Sequence, residues 1–307
     1  MNYKLFTDSS SGLPKELIEK YSVGIVNLSY LIDGKAIKGD NAGSEEYYKE
    51  FYALLRSKEN LSTSCANVND FMRAFTPVLN NGEDVLYIGF SSGLSATYSC
   101  AELAAEQLKN DFPDRRILCV DSLLASLGEG LLVYNACLLK EQNKTIDEVY
   151  KEILSSKNNI NSLFTVKTLS YLARGGRISK ISCAVGTVVD VKPTMYVNDG
   201  GKLVAYGKVI GRKRSIFALA DKVCKTIVNP EEQTIFISHG DCIDDAKLLQ
   251  KLIENKILVK GFCFNYVDPV IAIHSGPDTL AVFYSGLLRE ESVSSKIVAG
   301  SLLENNY

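Results

Sequence analysis

The chain has 307 residues, 46% of them hydrophobic and 23% charged, with 34 basic side chains against 36 acidic ones and a formal charge of −2. A composition this apolar excludes disorder as a description of the whole, and the length suits two globular domains better than one core. The balanced charge excludes a broad electrostatic footprint for nucleic acid or an anionic membrane.

The opening MNYKLFTDSSSGLPKEL has neither a long apolar stretch nor a small-residue cleavage site, so secretion by a standard signal is not expected. No run approaches the roughly 18 apolar residues of a membrane helix. Eight cysteines are scattered without a C-x-x-C pair, which reads as reduced thiols in a cytoplasmic protein. With only two histidines, His239 and His274, a zinc site is not expected.

In chain order, the first half repeats one grammar: an apolar β-rich run, a small polar loop, then a helical pattern. Tyr3–Phe6 leads through Asp8-Ser9-Ser10-Ser11-Gly12 to a helix from Pro14 to Lys20, with proline suited to the first turn. Asp84–Phe90 leads through Ser91-Ser92-Gly93-Leu94-Ser95 to a helix over Ala96–Lys109. Arg116–Val120 leads through Asp121-Ser122 to a helix ending near Lys140. This alternation predicts right-handed βαβ crossovers on a parallel, Rossmann-like sheet.

From about residue 160 the grammar changes. A strand Ser162–Val166 precedes Thr168–Ala173 and the turn Arg174-Gly175-Gly176-Arg177. Met195–Asn198 and Leu203–Lys208 flank Asp199-Gly200-Gly201 as a hairpin. Helices over Ser215–Ile227 and Asp244–Lys256 and strands Thr234–Ser238, Gly261–Val267 and Thr279–Ser285 complete a mixed-sheet α/β region. The expected domains are 1–160 and 161–307, divided in the polar stretch Ser155–Asn161.

Loops after parallel strands meet helix N-termini, where anions collect. Gly89–Ser95 is such a place, and loop Thr63-Ser64 adds hydroxyls. Neither carries lysine or arginine, so a singly charged or neutral oxygen group fits better than a phosphate dianion. Helix capping is the plain alternative for these serines. A second alternative is enzymatic: Gly89-Phe90-Ser91-Ser92-Gly93 matches G-x-S-x-G, and Ser91 with Asp241 or Asp268 and His274 would make a serine esterase. Against it stand the missing H-G-G-G motif and the clustering of hydroxyls. The apolar strand Pro269–Ile273 is expected to deliver His274 into a Gly-Pro turn facing an interdomain cleft, with a core histidine as the alternative. His239-Gly240-Asp241 reads as a strand-end turn. Lys208, Arg212, Lys213 and Arg214 form the one concentration of positive charge, with Arg174 and Arg177 in another loop. No P-loop is present, so no nucleotide cofactor is expected.

Taken together these loops resemble the DegV family of bacterial fatty-acid-binding proteins. Thr7-Asp8-Ser9-Ser10-Ser11-Gly12-Leu13-Pro14, Thr63-Ser64, Ser91-Ser92-Gly93-Leu94-Ser95-Ala96-Thr97-Tyr98, Leu169–Ser179 and His274-Ser275-Gly276-Pro277 match its motifs in order over about residues 3–286. The resemblance implies a two-domain α/β carrier without its own catalytic centre, holding one long-chain fatty acid in a buried tunnel between its domains. It also implies a separate fatty acid kinase catalytic subunit that phosphorylates the presented carboxyl group, no cofactor, and at most transient lipid exchange at membrane surfaces. By motif position it assigns the carboxylate to Thr63 and Ser92 first, then Ser95 and the Gly93 N–H, with His274 extending the network and Arg212 contacting the kinase. Cys65-Ala66-Asn67, Ala96, Asp278 and Ala281 depart from the family pattern and are expected to alter pocket detail.

Overall fold

A computed structural model describes residues 2–39, 43–57, 60–178 and 190–294. Ser179, the last residue of the Leu169–Ser179 motif, and Cys183 fall outside them. The first half is built on β1 (Tyr3–Asp8), α1 (Lys15–Tyr21), β2 (Gly24–Val26), β3 (Ser29–Ile32), β4 (Lys35–Lys38), α2 (Glu45–Ser57), β5 (Leu61–Ser64), α3 (Val68–Asn80), β6 (Asp84–Gly89), α4 (Thr97–Asp111), β7 (Ile117–Asp121), α5 (Leu127–Glu141) and α6 (Ile146–Ser156). Strands β2-β1-β6-β7 form an all-parallel sheet, as the βαβ reading requires. Its strands β1 and β6 are almost wholly buried, so they read as continuous apolar runs rather than alternations.

Two features are not legible in the sequence. Strands β4-β3-β5 make a separate antiparallel sheet, and Thr63-Ser64, expected as a loop, ends its strand β5, Thr63 lying opposite Tyr30. An antiparallel register places alternate side chains on opposite faces, so Thr63 is aimed by the sheet rather than by a flexible loop.

The second half comprises β8 (Ile160–Thr165), α7 (Ser170–Arg174), β9 (Val191–Val197), β10 (Leu203–Ile210), α8 (Arg212–Thr226), β11 (Thr234–His239), α9 (Ile243–Glu254), β12 (Gly261–Tyr266), α10 (Pro269–Ser275), β13 (Leu280–Ser285) and α11 (Arg289–Ser292). Its six strands run β10-β9-β8-β13-β11-β12 in a mixed sheet, with β11 and β12 parallel and the other pairs antiparallel. The predicted hairpin joins β9 and β10, and Gly201, at φ 68, supplies its left-handed residue.

The predicted strand Pro269–Ile273 is instead the helix α10. Pro269 occupies the first turn, the Asp268 carboxylate accepts the Val270 N–H at 2.8 Å, and Gly276 ends the helix with φ 84. A short apolar run has no period that separates strand from buried helix; its flanks decide.

Helices α8 and α9 cover the outer face of the six-stranded sheet with Ile216, Leu219, Val223, Leu249 and Ile253. Helix α5 lies inside, buried nearly all round as an apolar helix must be. Its glycines make the close approaches: a Cβ on Gly128 would stand 2.8 Å from the Phe283 ring of β13, and one on Gly130 would stand 2.7 Å from the Ser11 carbonyl. Leu5 and Ile88 from the parallel sheet share one apolar cluster with α5 and with Phe236 and Phe283 from the mixed sheet.

Candidate functional site

The six-stranded sheet, the end of β5 and the loop after β6 line a cavity of about 390 Å³. Its walls are mostly apolar and come from both halves of the chain, including Leu28, Phe90 and Leu94 from the first and Phe164, Val270 and Phe283 from the second. Hydroxyls along the wall are largely satisfied by protein: Ser126 donates to Ser238 at 3.1 Å, and Thr279 donates to the Ser275 and Gly276 carbonyls.

One polar cluster differs. Thr63 Oγ1 and His274 Nε2 lie 2.8 Å apart, joining β5 to the last turn of α10. The imidazole fits because Gly175 has no side chain; a Cβ there would stand 2.1 Å from His274 Nδ1. Arg177 lines the same cavity and donates from Nε to the Leu94 carbonyl at 3.3 Å, beside Ser95, which also lines it. Desolvation pulls the Arg177 pKa down, and no carboxylate among the described residues forms an ion pair with it. Burial, helped by the Arg177 and Arg174 charges, pushes the His274 pKa down to about 4, so the ring is neutral at pH 7. Nδ1 has no hydrogen-bond partner among the described residues.

The sequence-expected ligands divide here. Thr63, Ser95 and His274 line the cavity, whereas Ser92 and Gly93 do not. Ser92 is exposed, and its N–H donates to the Asp121 carboxylate at 3.2 Å. The Gly93 N–H donates to Ser91 Oγ at 3.1 Å, and a Cβ there would meet the Gly200 and Gly201 carbonyls at 2.7 and 2.9 Å. Gly93 is thus needed for contact with the β9–β10 turn, and its amide is already used. Arg212 turns inward, its Nε bonded to the Asp245 carboxylate at 2.8 Å, while Lys208, Lys213 and Arg214 are exposed.

Arg177 is the site residue that the hydroxyl-rich loops do not reveal. The expectation of a site without cations rests on Gly89–Ser95 and Thr63-Ser64 alone, yet folding brings Arg177, from the turn Arg174-Gly175-Gly176-Arg177, into the same cavity. That turn is plainly basic in the sequence, but nothing in its spacing says which loops it will face.

The esterase arrangement is not assembled. Ser91 is fully buried, and its Oγ donates to the Gly201 carbonyl at 2.8 Å rather than to His274. Asp268 caps α10, and Asp241 pairs with Arg56 at 2.6 Å. Among the described residues no three His, Cys, Asp or Glu side chains group as a metal site, and no helix is long and apolar enough to cross a membrane.

The two histidines give a direct check. His239 is likewise pushed down to about 4 by burial. For a depressed histidine the stabilisation is complete above the unfolded value near 6.5 and is lost as pH falls towards the folded value. Heteronuclear NMR should therefore find both imidazoles neutral at pH 5.5; a ring titrating near 6.5 would show that its site is open to water.

A mostly apolar cavity with a few polar groups on its wall, here the Thr63–His274 pair and Arg177, is the usual form of a small-molecule site in an α/β protein. The model of the DegV family, described as an uncharacterised protein family, matches residues 2–286, and the chain belongs to that family. A DegV domain-containing protein of Clostridium perfringens is 42% identical over 94% of this chain and 99% of its own. Two solved structures are similar along their whole length. A DegV lipid-binding protein from Thermotoga maritima has a TM-score of 0.81 at 27% identity, covering 94% of this chain and 100% of its own. A DegV family protein from Thermus thermophilus, described by its fatty acid binding, has a TM-score of 0.81 at 28% identity with the same coverage.

Proposed function

We propose that this protein is a carrier that encloses one long-chain fatty acid in its apolar cavity and presents the carboxyl group to a separate ATP-dependent kinase subunit, which forms the acyl phosphate. The observation that carries the reading is the apolar cavity with the Thr63–His274 pair and Arg177 at its polar cluster. The fatty-acid and lipid binding of the similar DegV proteins supports it.

The energetics agree. Each buried CH₂ contributes about 0.8 kcal/mol, so the acyl chain supplies the affinity. A buried carboxylate is costly without donors. If the neutral His274 donates from Nε2 to Thr63 Oγ1, the Thr63 hydroxyl proton is left to donate to the ligand, with Ser95 and the Arg177 charge beside it. One acidic oxygen then remains for phosphorylation, and the same cation suits the charge of the product. Arg212 anchors the first turn of α8 for the kinase contact, where exposed Lys213 and Arg214 are the free charges.

The test is mass spectrometry of the purified protein, native and then after denaturation and organic extraction. One fatty acid per chain, released only on denaturation, is expected. A lipid-free chain that also takes up no added oleate or palmitate would remove the carrier reading. With a kinase subunit and ATP, Arg177→Met should keep the lipid and lose most acyl-phosphate formation.

A further inference from the structure

Among the hydroxyls on the cavity wall, one pair has hydrogen-bonding capacity to spare. Ser126 Oγ donates to Ser238 Oγ at 3.1 Å, both residues line the cavity, and they are 5% and 0% exposed. Ser126 precedes α5, yet its side chain caps no amide of that helix. Among the described residues no acceptor takes the Ser238 proton, and no donor reaches Ser126 Oγ. Ser275 adds an independent observation: it is 6% exposed and lines the cavity, and its Oγ has no partner among the described residues. Buried polar groups are normally hydrogen-bonded, so unspent capacity on a mostly apolar wall marks a place for a polar occupant.

The serine pair stands apart from the Thr63–His274 cluster. Thr279, which precedes β13 and donates to the Ser275 carbonyl beside His274, marks that end of the wall. Ala281 lies two residues further on, roughly 7 Å along the strand, and its partner Ser238 is one strand across, about 5 Å away. Phe283 continues the same face, against Gly128 of α5. Neither Ser126 nor Ser238 hydrogen-bonds to Thr63, His274, Ser95 or Arg177. A ligand whose carboxyl group sits at Thr63 therefore meets the pair only some way along its chain.

From this arrangement we infer that Ser126 and Ser238 form a second oxygen site in the cavity, and that the fatty acid selected carries a hydroxyl group in the middle of its chain. This rests on the fatty-acid reading and names the class of acid. An alcohol fits because it both accepts and donates: it takes the Ser238 proton and gives its own to Ser126 Oγ. A carboxylate only accepts and would leave Ser126 Oγ without a donor. A plain methylene would leave the Ser238 proton unmatched, and such unmade bonds are how a polar site rejects a ligand lacking the polar group.

The experiment offers the purified, delipidated full-length chain an equimolar mixture of stearate and a mid-chain hydroxystearate. Native mass spectrometry reads the ratio bound. The hydroxy acid should be preferred about tenfold. Ser238→Ala and Ser126→Ala should each bring the ratio close to equality. Ser162→Ala, on the strand at the other side of β13 and paired with Phe283, should leave the ratio as it is. Equal binding of the two acids by the parent chain would overturn the site while leaving the carrier reading intact. So would a preference that survives both Ser238→Ala and Ser126→Ala. Uptake of neither acid would remove the carrier reading, and this site with it.

Discussion

Replacing Arg289 by leucine should destabilise the protein by about 3–5 kcal/mol, the usual loss when a buried charge leaves its partners unpaired. Arg289 is 1% exposed, yet no carboxylate among the described residues forms an ion pair with it. Its guanidinium donates from Nε to the Ile160 carbonyl at 3.0 Å, from one terminal nitrogen to Leu123 and Asn198, and from the other to Ser122 and Lys157. Five N–H groups thus meet five carbonyls, the full donor capacity of arginine. Burial pushes its pKa down to about 10, which still leaves the cation charged at pH 7. The carbonyls come from the β7–α5 loop, the α6–β8 connection, the start of β8 and the β9–β10 turn, so one side chain fixes four segments. Leucine would orphan all five. Lysine, with three donors and no planar fork, should recover only part of the loss. Urea unfolding followed by circular dichroism measures both; a leucine variant within about 1 kcal/mol of the parent would show that water replaces the guanidinium.

The second large effect concerns Asp8 and Glu129, both fully buried. Asp8 accepts from Tyr87 Oη at 2.6 Å, from the Phe90 N–H at 3.0 Å, and from the Ser10 N–H at 3.0 Å. Ser10 Oγ lies 2.5 Å from Asp8 and 3.0 Å from Glu129, but it has one proton to give. Glu129 must therefore carry its own proton and donate to Ser10, which donates to an ionised Asp8. Thr7 donates to the other Glu129 oxygen at 2.7 Å. Burial, then the Asp8 charge, raises the Glu129 pKa well above the usual carboxylate value.

Two variants should separate the roles. Asp8→Asn turns a donor towards groups that are themselves donors and should cost about 3 kcal/mol. It also frees the Phe90 N–H, and with it the loop that carries Ser95, so fatty-acid affinity should fall with stability. Glu129→Gln keeps a donor towards Ser10 and an acceptor for Thr7, and should be mild. Its pH signature has a definite sign. A raised carboxyl contributes its stability below the unfolded value, about 4.3, and loses it as pH rises towards the folded value. Glutamine does not titrate, so the variant should gain on the parent as pH rises above the unfolded value. Parallel unfolding curves across that range would mean that Glu129 is ionised in the fold.

Much of the architecture is written in local patterns. The three strand–loop–helix units can be read because each pairs a β-rich apolar run with a turn and a 3.6-residue periodicity, and all lie on the parallel sheet. The antiparallel sheet β4-β3-β5 is hidden because its strands are four residues long and β4 is exposed, leaving no apolar alternation to detect. Pro269–Ile273 reads as a strand because five apolar residues have no period of their own. At the site, hydroxyl-rich loops point to Thr63 and Ser95, but the same composition also points to Ser92, which faces solvent. Arg177 and Arg289 lie tens of residues in sequence from most of the groups they meet, and only tertiary folding joins them. The Thr7–Ser11 motif can be recognised without revealing that its hydroxyls meet the buried Glu129 carboxyl group of α5.

The placement of α5 bears on how the chain can be divided. This helix precedes residue 160 in sequence, yet it covers the inner face of a sheet whose strands all follow it, with Gly128 against Phe283. A fragment beginning at residue 160 would expose Phe236 and Phe283 to water, and one ending there would carry a helix with much of its packing surface bare. Expressed separately, the two pieces should precipitate or find each other, and co-expression of both should recover soluble material that neither gives alone.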